Sequence, residues 1–296
     1  MRIGTRRSAL ALAQARLVAG LLGDAELVPM ASAGDRGEGT GDKSRWVSDL
    51  ELALQDGRID LAVHSAKDVP GEPAEGLELL GCPPRAAAED VLCGAQSIDA
   101  LGTGARVGTS SLRRIAQLRS ARPDLDVVSV RGNVDTRMAK LAAGEDGLQA
   151  IVLARAGLDR LERAAEAGGT LDPSTFVPAP GQGALALQGR AGDEAVGAAV
   201  AGIEDRASTA ALLAERSLAR ELGADCDTPL GAHAVAFAGD GLRLRAWVGL
   251  PDGSSWILDE LEGALDAPQE LGLALAQRMS SVGAQELLAA ARGIAS

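Results

Sequence analysis

Two distant stretches of this chain carry one pattern, and that repeat limits the architectures open to it. Ile3-Gly4-Thr5-Arg6-Arg7-Ser8 and Val107-Gly108-Thr109-Ser110-Ser111 each run strand, Gly-Thr, Ser and then the start of a helix. Strand–helix units that recur this way build α/β lobes with helices on the faces of a mostly parallel sheet. Each unit offers a helix N-terminus with free N–H groups beside Ser and Thr hydroxyls, which suits an anion. Two such lobes facing each other make a cleft that can clamp an anionic ligand from both sides. Taken singly, either stretch also reads as an ordinary capped helix.

The rest of the chain fits this frame. Strands are expected at Arg2–Thr5, Glu26–Met30, Ile59–His64, Leu77–Gly81, Asp90–Gly94, Asp126–Val130, Gln149–Leu153 and Ala184–Gln188. The first helix begins after Ser8, a good N-cap, and Leu10, Leu17, Val18, Leu21 and Leu22 fall on one of its faces. Ala31–Ser44, rich in Gly, Asp, Ser and Thr, reads as a long loop, and Trp46–Gln55 as a helix. Pro178-Ala179-Pro180-Gly181-Gln182-Gly183 is punctuation of the kind found at a hinge or crossover. A helix over Ala207–Leu222 ends at Gly223. Beyond it the texture changes. Ala232–Ala238, Leu242–Gly249 and Ser254–Leu258 alternate like antiparallel strands, joined by turns at Gly239-Asp240-Gly241 and Pro251-Asp252-Gly253, and two helices close the chain. The expected division is 1–88 with 184–204 as one lobe, 89–183 as a second, and 205–296 as a small α+β domain.

Composition narrows the function. The net charge is −12 and aromatic residues are 2% of the chain, with no Tyr. Such a chain is repelled by nucleic acid and by anionic membranes, and it lacks stacking platforms for single strands. Three scattered cysteines (Cys82, Cys93, Cys226) suit a reducing compartment, and with only His64 and His233 no zinc site is expected. The N-terminal MRIGTRRS imitates a signal peptide, but Gln14 and Arg16 interrupt the apolar run, so the segment reads as part of a cytoplasmic fold.

Three features carry chemistry. In Leu61–Pro70, LAVHSAKDVP, an apolar strand runs into Lys67-Asp68 and stops at Pro70. A carboxylate at a strand's carboxyl end is a candidate for work on a cationic or N–H-bearing substrate; a solvated turn is the plainer alternative. From Arg113 to Arg160 there are nine Lys/Arg and six Asp/Glu, a local balance of +3 in an acidic chain. Arginine forks suit carboxylates and phosphates, so this field predicts a small polyanion. Arg119, Arg122 and Lys140 fit solvated helix faces, whereas Arg131 directly follows an apolar strand. Cys226 sits in the polar loop GADCDTPLG, while Cys82 and Cys93 lie in apolar runs and read as buried. Asp225 and Asp227 would raise its thiol pKa, so a covalent anchor fits it better than a fast nucleophile. A plain loop cysteine stays open.

Taken together, GTRRSALALAQA, LAVHSAKDVP, VGTSSLRR, RGNVDTR, LARAGLDRL, PGQGALALQ and GADCDTPLGAHA resemble, in order and spacing, the porphobilinogen deaminase (hydroxymethylbilane synthase) family. The resemblance covers essentially the whole chain. It implies two lobes like those of periplasmic binding proteins with crossover connections, plus a small α+β domain. It also implies an enzyme that joins four porphobilinogen molecules head to tail with loss of ammonia, on a covalent dipyrromethane primer, and then releases hydroxymethylbilane by hydrolysis for tetrapyrrole (haem) synthesis.

By the same resemblance Cys226 holds the dipyrromethane through a thioether and Asp68 is the catalytic carboxylate. Ser8, Lys67, Thr109, Ser110, Ser111, Arg113, Arg114 and Arg131 would bind the cofactor. Arg6, Lys43, Arg137 and Arg160 would bind substrate. Lys43 and Trp46 stand where the family pattern has a Lys and a Phe near a lid. The family suggests a monomer; composition and the sparse His and Cys already argue for no metal, nucleic acid or membrane partner. The competing reading is a non-catalytic binder of small polyanions with the same two-lobed architecture, which would have no need of Asp68 or of a Cys226 domain.

Overall fold

The structure, a computed structural model, describes residues 1–30, 44–225 and 228–295, with side chains given outside 44–46 and 294–295. The loop expected at Ala31–Ser44 therefore lies outside the described residues up to position 43. The chain opens with β1 (Arg2–Arg6), α1 (Ala9–Leu22), β2 (Glu26–Met30), α2 (Ser44–Gln55), β3 (Leu61–Ser65) and β4 (Leu77–Gly81). There follow β5 (Asp90–Cys93), β6 (Arg106–Gly108), α3 (Leu112–Ala121), β7 (Asp126–Val128), α4 (Val134–Ala142), β8 (Ala150–Ala154), α5 (Arg155–Arg160) and β9 (Gly169–Leu171). The remainder comprises β10 (Leu185–Arg190), α6 (Glu194–Ala201), α7 (Arg206–Glu221), β11 (Leu230–Phe237), β12 (Gly241–Gly249), β13 (Trp256–Ala264), α8 (Pro268–Ser280) and α9 (Ala284–Ala295).

The strands form two five-stranded sheets, ordered β2-β1-β3-β10-β4 and β7-β6-β8-β5-β9, and a three-stranded sheet, β11-β12-β13. The repeat read in the sequence has a topological meaning. β1 and β6 occupy equivalent places, each flanked by two parallel neighbours. Their glycines sit where the sheet face admits no side chain. A Cβ on Gly4 would meet Ile59 Cδ1 at 2.2 Å, and one on Gly108 would meet Val130 Cγ2 at 2.5 Å. The threonines that follow, Thr5 and Thr109, are fully buried.

The sheets are mostly parallel, as expected, but each differs from a fully parallel sheet by one reversed strand. β10 runs antiparallel to β3 and β4, and β5 antiparallel to β8 and β9. The cause is the crossover: β5 is laid into the second sheet as the chain leaves the first, and β10 returns from the second to the first. A second difference concerns α1. It buries Gln14, Ala15 and Val18, while Leu17 and Leu21 are 45% and 48% exposed. The packed stripe is set by Ala15 and Val18, with Leu22 beside them, against Ile3, Leu61 and Val63, rather than by Leu17 and Leu21. The short β9 and α6 were not anticipated. β13 extends to Ala264, well past the expected end at Leu258.

In the third unit α7, α8 and α9 cover one face of the antiparallel sheet around Leu218, Leu244, Leu275 and Leu288. Among the described residues no helix is long and apolar enough to cross a membrane.

One buried carboxylate ties this unit to the lobes. Glu215 of α7 is 0% exposed. It accepts bonds from Arg85 Nη1 at 2.6 Å and Nη2 at 3.2 Å, from the Gly181 amide at 2.6 Å and from the Ala234 amide at 2.7 Å. Removing one partner of a buried pair leaves an uncompensated charge. Glu215→Ala is therefore expected to cost about 3–5 kcal/mol in urea unfolding, whereas Asp56→Ala, which breaks an exposed pair with Arg58, leaves the midpoint unchanged.

Candidate active site

The carboxyl ends of β1 and β3 and the start of α1 enclose a pocket. Arg6 and Ser8 enter it from the β1–α1 turn, His64 and Ser65 from β3, and Asp68 from the single 3₁₀ turn Ala66–Asp68. Leu10, Val47, Leu50 and Val63 supply its apolar wall. Ser8 is the N-cap of α1 as its sequence position implied, accepting from the Ala11 amide at 3.3 Å. Gln14 donates to Ser65 Oγ at 2.8 Å and so ties α1 to β3. Lys67 and Asp68 are both partly buried.

His64 was not singled out from the sequence, and the structure gives it a defined state. Its Nε2 lies 3.0 Å from Gln188 Oε1, and Gln188 Nε2 donates to Glu51 Oε1 at 2.8 Å. The carboxylate orients the amide, so the amide oxygen accepts a hydrogen bond from Nε2–H and leaves Nδ1 as the ring's acceptor. Burial pushes the imidazole down to about 4, against smaller opposing effects of Gln188, Glu51 and Asp68. The pocket therefore holds a neutral His beside an acidic group.

The second lobe presents the other half of the predicted set. Thr109 Oγ1 accepts from the Ser111 amide at 3.3 Å, and Ser110 Oγ donates to the Val130 carbonyl at 2.5 Å. Ser111 occupies the N-cap of α3 but, unlike Ser8, makes no side-chain cap bond. α1 of the first lobe packs on α5 of the second.

The arginines divide sharply. Arg113 and Arg114 do not stand on an open rim. They are 3% and 5% exposed and converge on Asp90, which is 0% exposed, at 2.8 Å and 2.6 Å. Gln182 of the PGQG segment adds a bond to the same carboxylate at 2.8 Å. Burial alone would raise the Asp90 carboxyl, but the two guanidinium charges hold it well below the usual carboxylate range. The sequence signal for Asp90 was slight, since a lone Asp at the start of an apolar run resembles a turn residue.

Arg137 donates to the Gly132 carbonyl at 2.8 Å and Arg160 to the Gly183 carbonyl at 2.7 Å. Burial lowers the pKa of both. Arg131 is exposed, at the end of the segment after β7. Arg119 and Arg122, expected on solvated faces, instead hold carbonyls: Arg119 that of Pro251 at 3.0 Å, Arg122 that of Ile98 at 2.9 Å. Cys82 and Cys93 are buried as expected, and burial pushes both thiols up to about 11. Lys43 and Cys226 lie outside the described residues.

This arrangement suits a ligand that combines an apolar surface with carboxylates. The pocket has an apolar wall, a guanidinium and a carboxylate. Among the described residues, the buried Nε atoms of Arg113 and Arg160 have no hydrogen-bond partner. Buried donors left in this way call for an acceptor.

Comparison with known proteins then decides the family. Residues 1–198 match the family model described as porphobilinogen deaminase, dipyromethane cofactor binding domain, and residues 209–281 match its C-terminal domain. This chain belongs to the porphobilinogen deaminase family. It is 42% identical over 306 residues to the porphobilinogen deaminase of Deinococcus radiodurans, covering 98% of each chain. It is also 42% identical over 299 residues to that of Thermus thermophilus, again covering 98% of each. Among solved structures, immunogenic lipoprotein A from Vibrio vulnificus aligns with 70% of this chain and 96% of its own, at 14% identity and a TM-score of 0.39. Family membership makes the chain a transferase with a dipyrromethane-binding domain. The set above fits that group: carboxylate side chains for the arginine donors, pyrrole N–H groups for a carboxylate, and ring faces for an apolar wall.

The state of His64 has a measurable consequence. A His whose folded pKa lies below its unfolded value near 6.5 favours the folded state fully above pH 6.5, and that contribution is lost as pH falls toward about 4. His64→Gln is expected to flatten the decline of stability across that window, as read by urea midpoints. A ¹⁵N titration of the wild type should show one imidazole staying neutral, with the proton on Nε2, down to about pH 4.

Proposed function

We propose that this chain performs its family's reaction through the first-lobe pocket, with Asp68 as the catalytic carboxylate. It would take porphobilinogen, join four units head to tail with loss of ammonia, and release hydroxymethylbilane by hydrolysis for tetrapyrrole synthesis. The observation that carries this reading is the meeting of Asp68 with Arg6 and Ser8 in one pocket at the carboxyl ends of β1 and β3. When bound, through a thioether to Cys226, the dipyrromethane supplies the pyrrole carbon on which chain growth begins. Ser8, Lys67, Thr109, Ser110, Ser111, Arg113, Arg114 and Arg131 would hold it, and Arg6, Lys43, Arg137 and Arg160 would receive substrate carboxylates.

The residues' own chemistry supports these roles. Loss of ammonia from an aminomethylpyrrole spreads positive charge onto the ring N–H. A fixed carboxylate accepting that N–H stabilises charge that grows only as the bond breaks. The same carboxylate can take the proton released from the ring carbon after the new bond forms. Arg6 would orient the substrate by a bidentate grip on a carboxylate. His64, neutral, adds no positive charge against the developing cation. The division into 1–88 with 184–204, 89–183 and 205–296 is supported by sheet membership. A monomer acting in the cytoplasm completes the reading, and the buried, unpaired thiols of Cys82 and Cys93 agree with a reducing compartment. A pure polyanion binder is disfavoured by the family placement.

Two measurements test this. The intact mass of wild type should exceed the sequence mass by two linked pyrrole units, and that of Cys226→Ser should not. An unmodified wild type that gains nothing on incubation with porphobilinogen would contradict the anchor. Asp68→Glu should retain a trace of activity and Asp68→Asn almost none, a loss of at least about 100-fold. Comparable rates for Asn and wild type would remove Asp68 from its role.

A further inference from the structure

The turn that carries Asp68 is held from outside its own lobe. Two backbone bonds tie it locally: the Val69 amide to the Ala66 carbonyl at 3.2 Å, closing one 3₁₀ turn, and the Ala66 amide to the Ala184 carbonyl at 3.1 Å. A single such turn is a weak platform for a carboxylate that must be placed accurately. The next three residues, Val69, Pro70 and Gly71, direct their carbonyls to one side chain, Arg216 of α7. Arg216 Nη1 donates to the Val69 carbonyl at 3.2 Å, and Nη2 donates to the Pro70 carbonyl at 2.6 Å and the Gly71 carbonyl at 2.9 Å.

The arrangement is costly and specific. Arg216 is partly buried, and burial lowers its pKa, with Arg220 adding to the effect. Among the described residues no carboxylate forms an ion pair with it. A planar guanidinium can span three successive carbonyls where a lysine cannot. One helical turn on, Arg220 reaches Glu72 at 3.7 Å, continuing the same contact. On the other side of the turn, Gly181 packs so closely that a Cβ there would lie 3.0 Å from the Ala66 carbonyl carbon and the Lys67 amide nitrogen. The Gly181 amide is itself held by Glu215, the neighbour of Arg216 on α7. Adjacent residues of one helix thus set the turn from two directions.

We propose that Arg216 is a positioning residue for Asp68: through the carbonyls of residues 69–71 it holds the active-site turn against the third domain. The inference rests on the reading of Asp68 as the catalytic carboxylate. Arg216 touches neither substrate nor cofactor in this role. It makes the placement of Asp68 depend on where α7, and with it the domain bearing Cys226, sits against the first lobe.

The test is a double-mutant cycle on holoenzyme, with the rate of the first porphobilinogen addition normalised to loaded protein. Arg216→Leu should slow that step about 30-fold in the wild-type background, because an error near 1 Å in a catalytic group is costly. In an Asp68→Glu background, where the carboxylate is already displaced, the same change should cost less than about 3-fold. KM for porphobilinogen should move little, and amide exchange over residues 66–72 should quicken. Arg216→Lys should restore part of the rate. Equal losses in both backgrounds, or an unchanged first-addition rate, would overturn the proposal. A wild-type rate for Asp68→Glu would instead overturn the reading of Asp68. Should Arg216→Leu fail to fold, Arg216→Gln carries the same expectation, and a wild-type rate there also overturns it.

Discussion

The buried carboxylate of Glu215 is the junction on which the three parts of this molecule depend. It takes both terminal nitrogens of Arg85 from the outgoing crossover, the Gly181 amide from the returning one and the Ala234 amide from β11. A fully buried carboxylate is tolerable only when its lone pairs are satisfied. Here four donors come from three places distant in sequence. None of those segments can shift far without stranding a charge. Buried ionic groups add little net stability, but they discriminate strongly among arrangements, and this one fixes where two crossovers and a helix meet.

From that junction the organisation of the lobes follows. Each five-stranded sheet is built from a strand–helix repeat and is then completed by a strand that has crossed over. Because β5 and β10 are exchanged between lobes, the two crossovers run side by side. Asp90, at the start of β5, can therefore meet Gln182 of the returning crossover at 2.8 Å while it neutralises arginines from α3. The same proximity lets Arg160 reach the Gly183 carbonyl. The carboxyl ends of β3 and β8 lie beside this crossing, where Ser65 pairs with Leu185 and Ala154 with Asp90, and α1 packs on α5.

Much of this was legible in the sequence, and the failures have physical causes. The Gly-Thr-Ser repeat was readable because the glycine, the buried threonine and the capping serine are each demanded locally. The boundaries of β2 and β4 were readable from their short apolar runs. Strand direction was not. Whether β10 pairs parallel or antiparallel depends on the lobe it returns to, which is a long-range fact. The buried face of α1 was misread because Leu17 and Leu21 are more apolar than Ala15, yet Ala15 is what the sheet has room for. The pocket's Arg6, Ser8 and Asp68 were found from the pattern. His64 was not, because its character comes from Gln188 and Glu51, distant in sequence. Arg113 and Arg114 were seen as binding residues, but their partner Asp90 was not, and the partner determines how deeply they lie.

The division among the arginines points to the kind of ligand the cleft is built for. In the second lobe Arg106, Arg122 and Arg163 each pair with a carboxylate, and Arg119 is committed to the third domain. Those charges are balanced or used structurally. Arg113 and Arg114 share one Asp90, which leaves the trio at +1 (two guanidinium charges against one carboxylate). Arg137 and Arg160 have only carbonyl acceptors among the described residues, and the buried Nε atoms of Arg113 and Arg160 have none. Partly buried positive charge without a counter-ion is unfavourable in a low-dielectric setting. The chain as a whole is at −12, so the deficit could have been met by carboxylates of its own and was not. A ligand that brings several carboxylates supplies the missing acceptors and charge at once. On the proposed assignment of these arginines, recognition of a growing polycarboxylate and electrostatic completion of the fold would be the same interaction, with Asp90 setting how much of the charge is left for the ligand to balance.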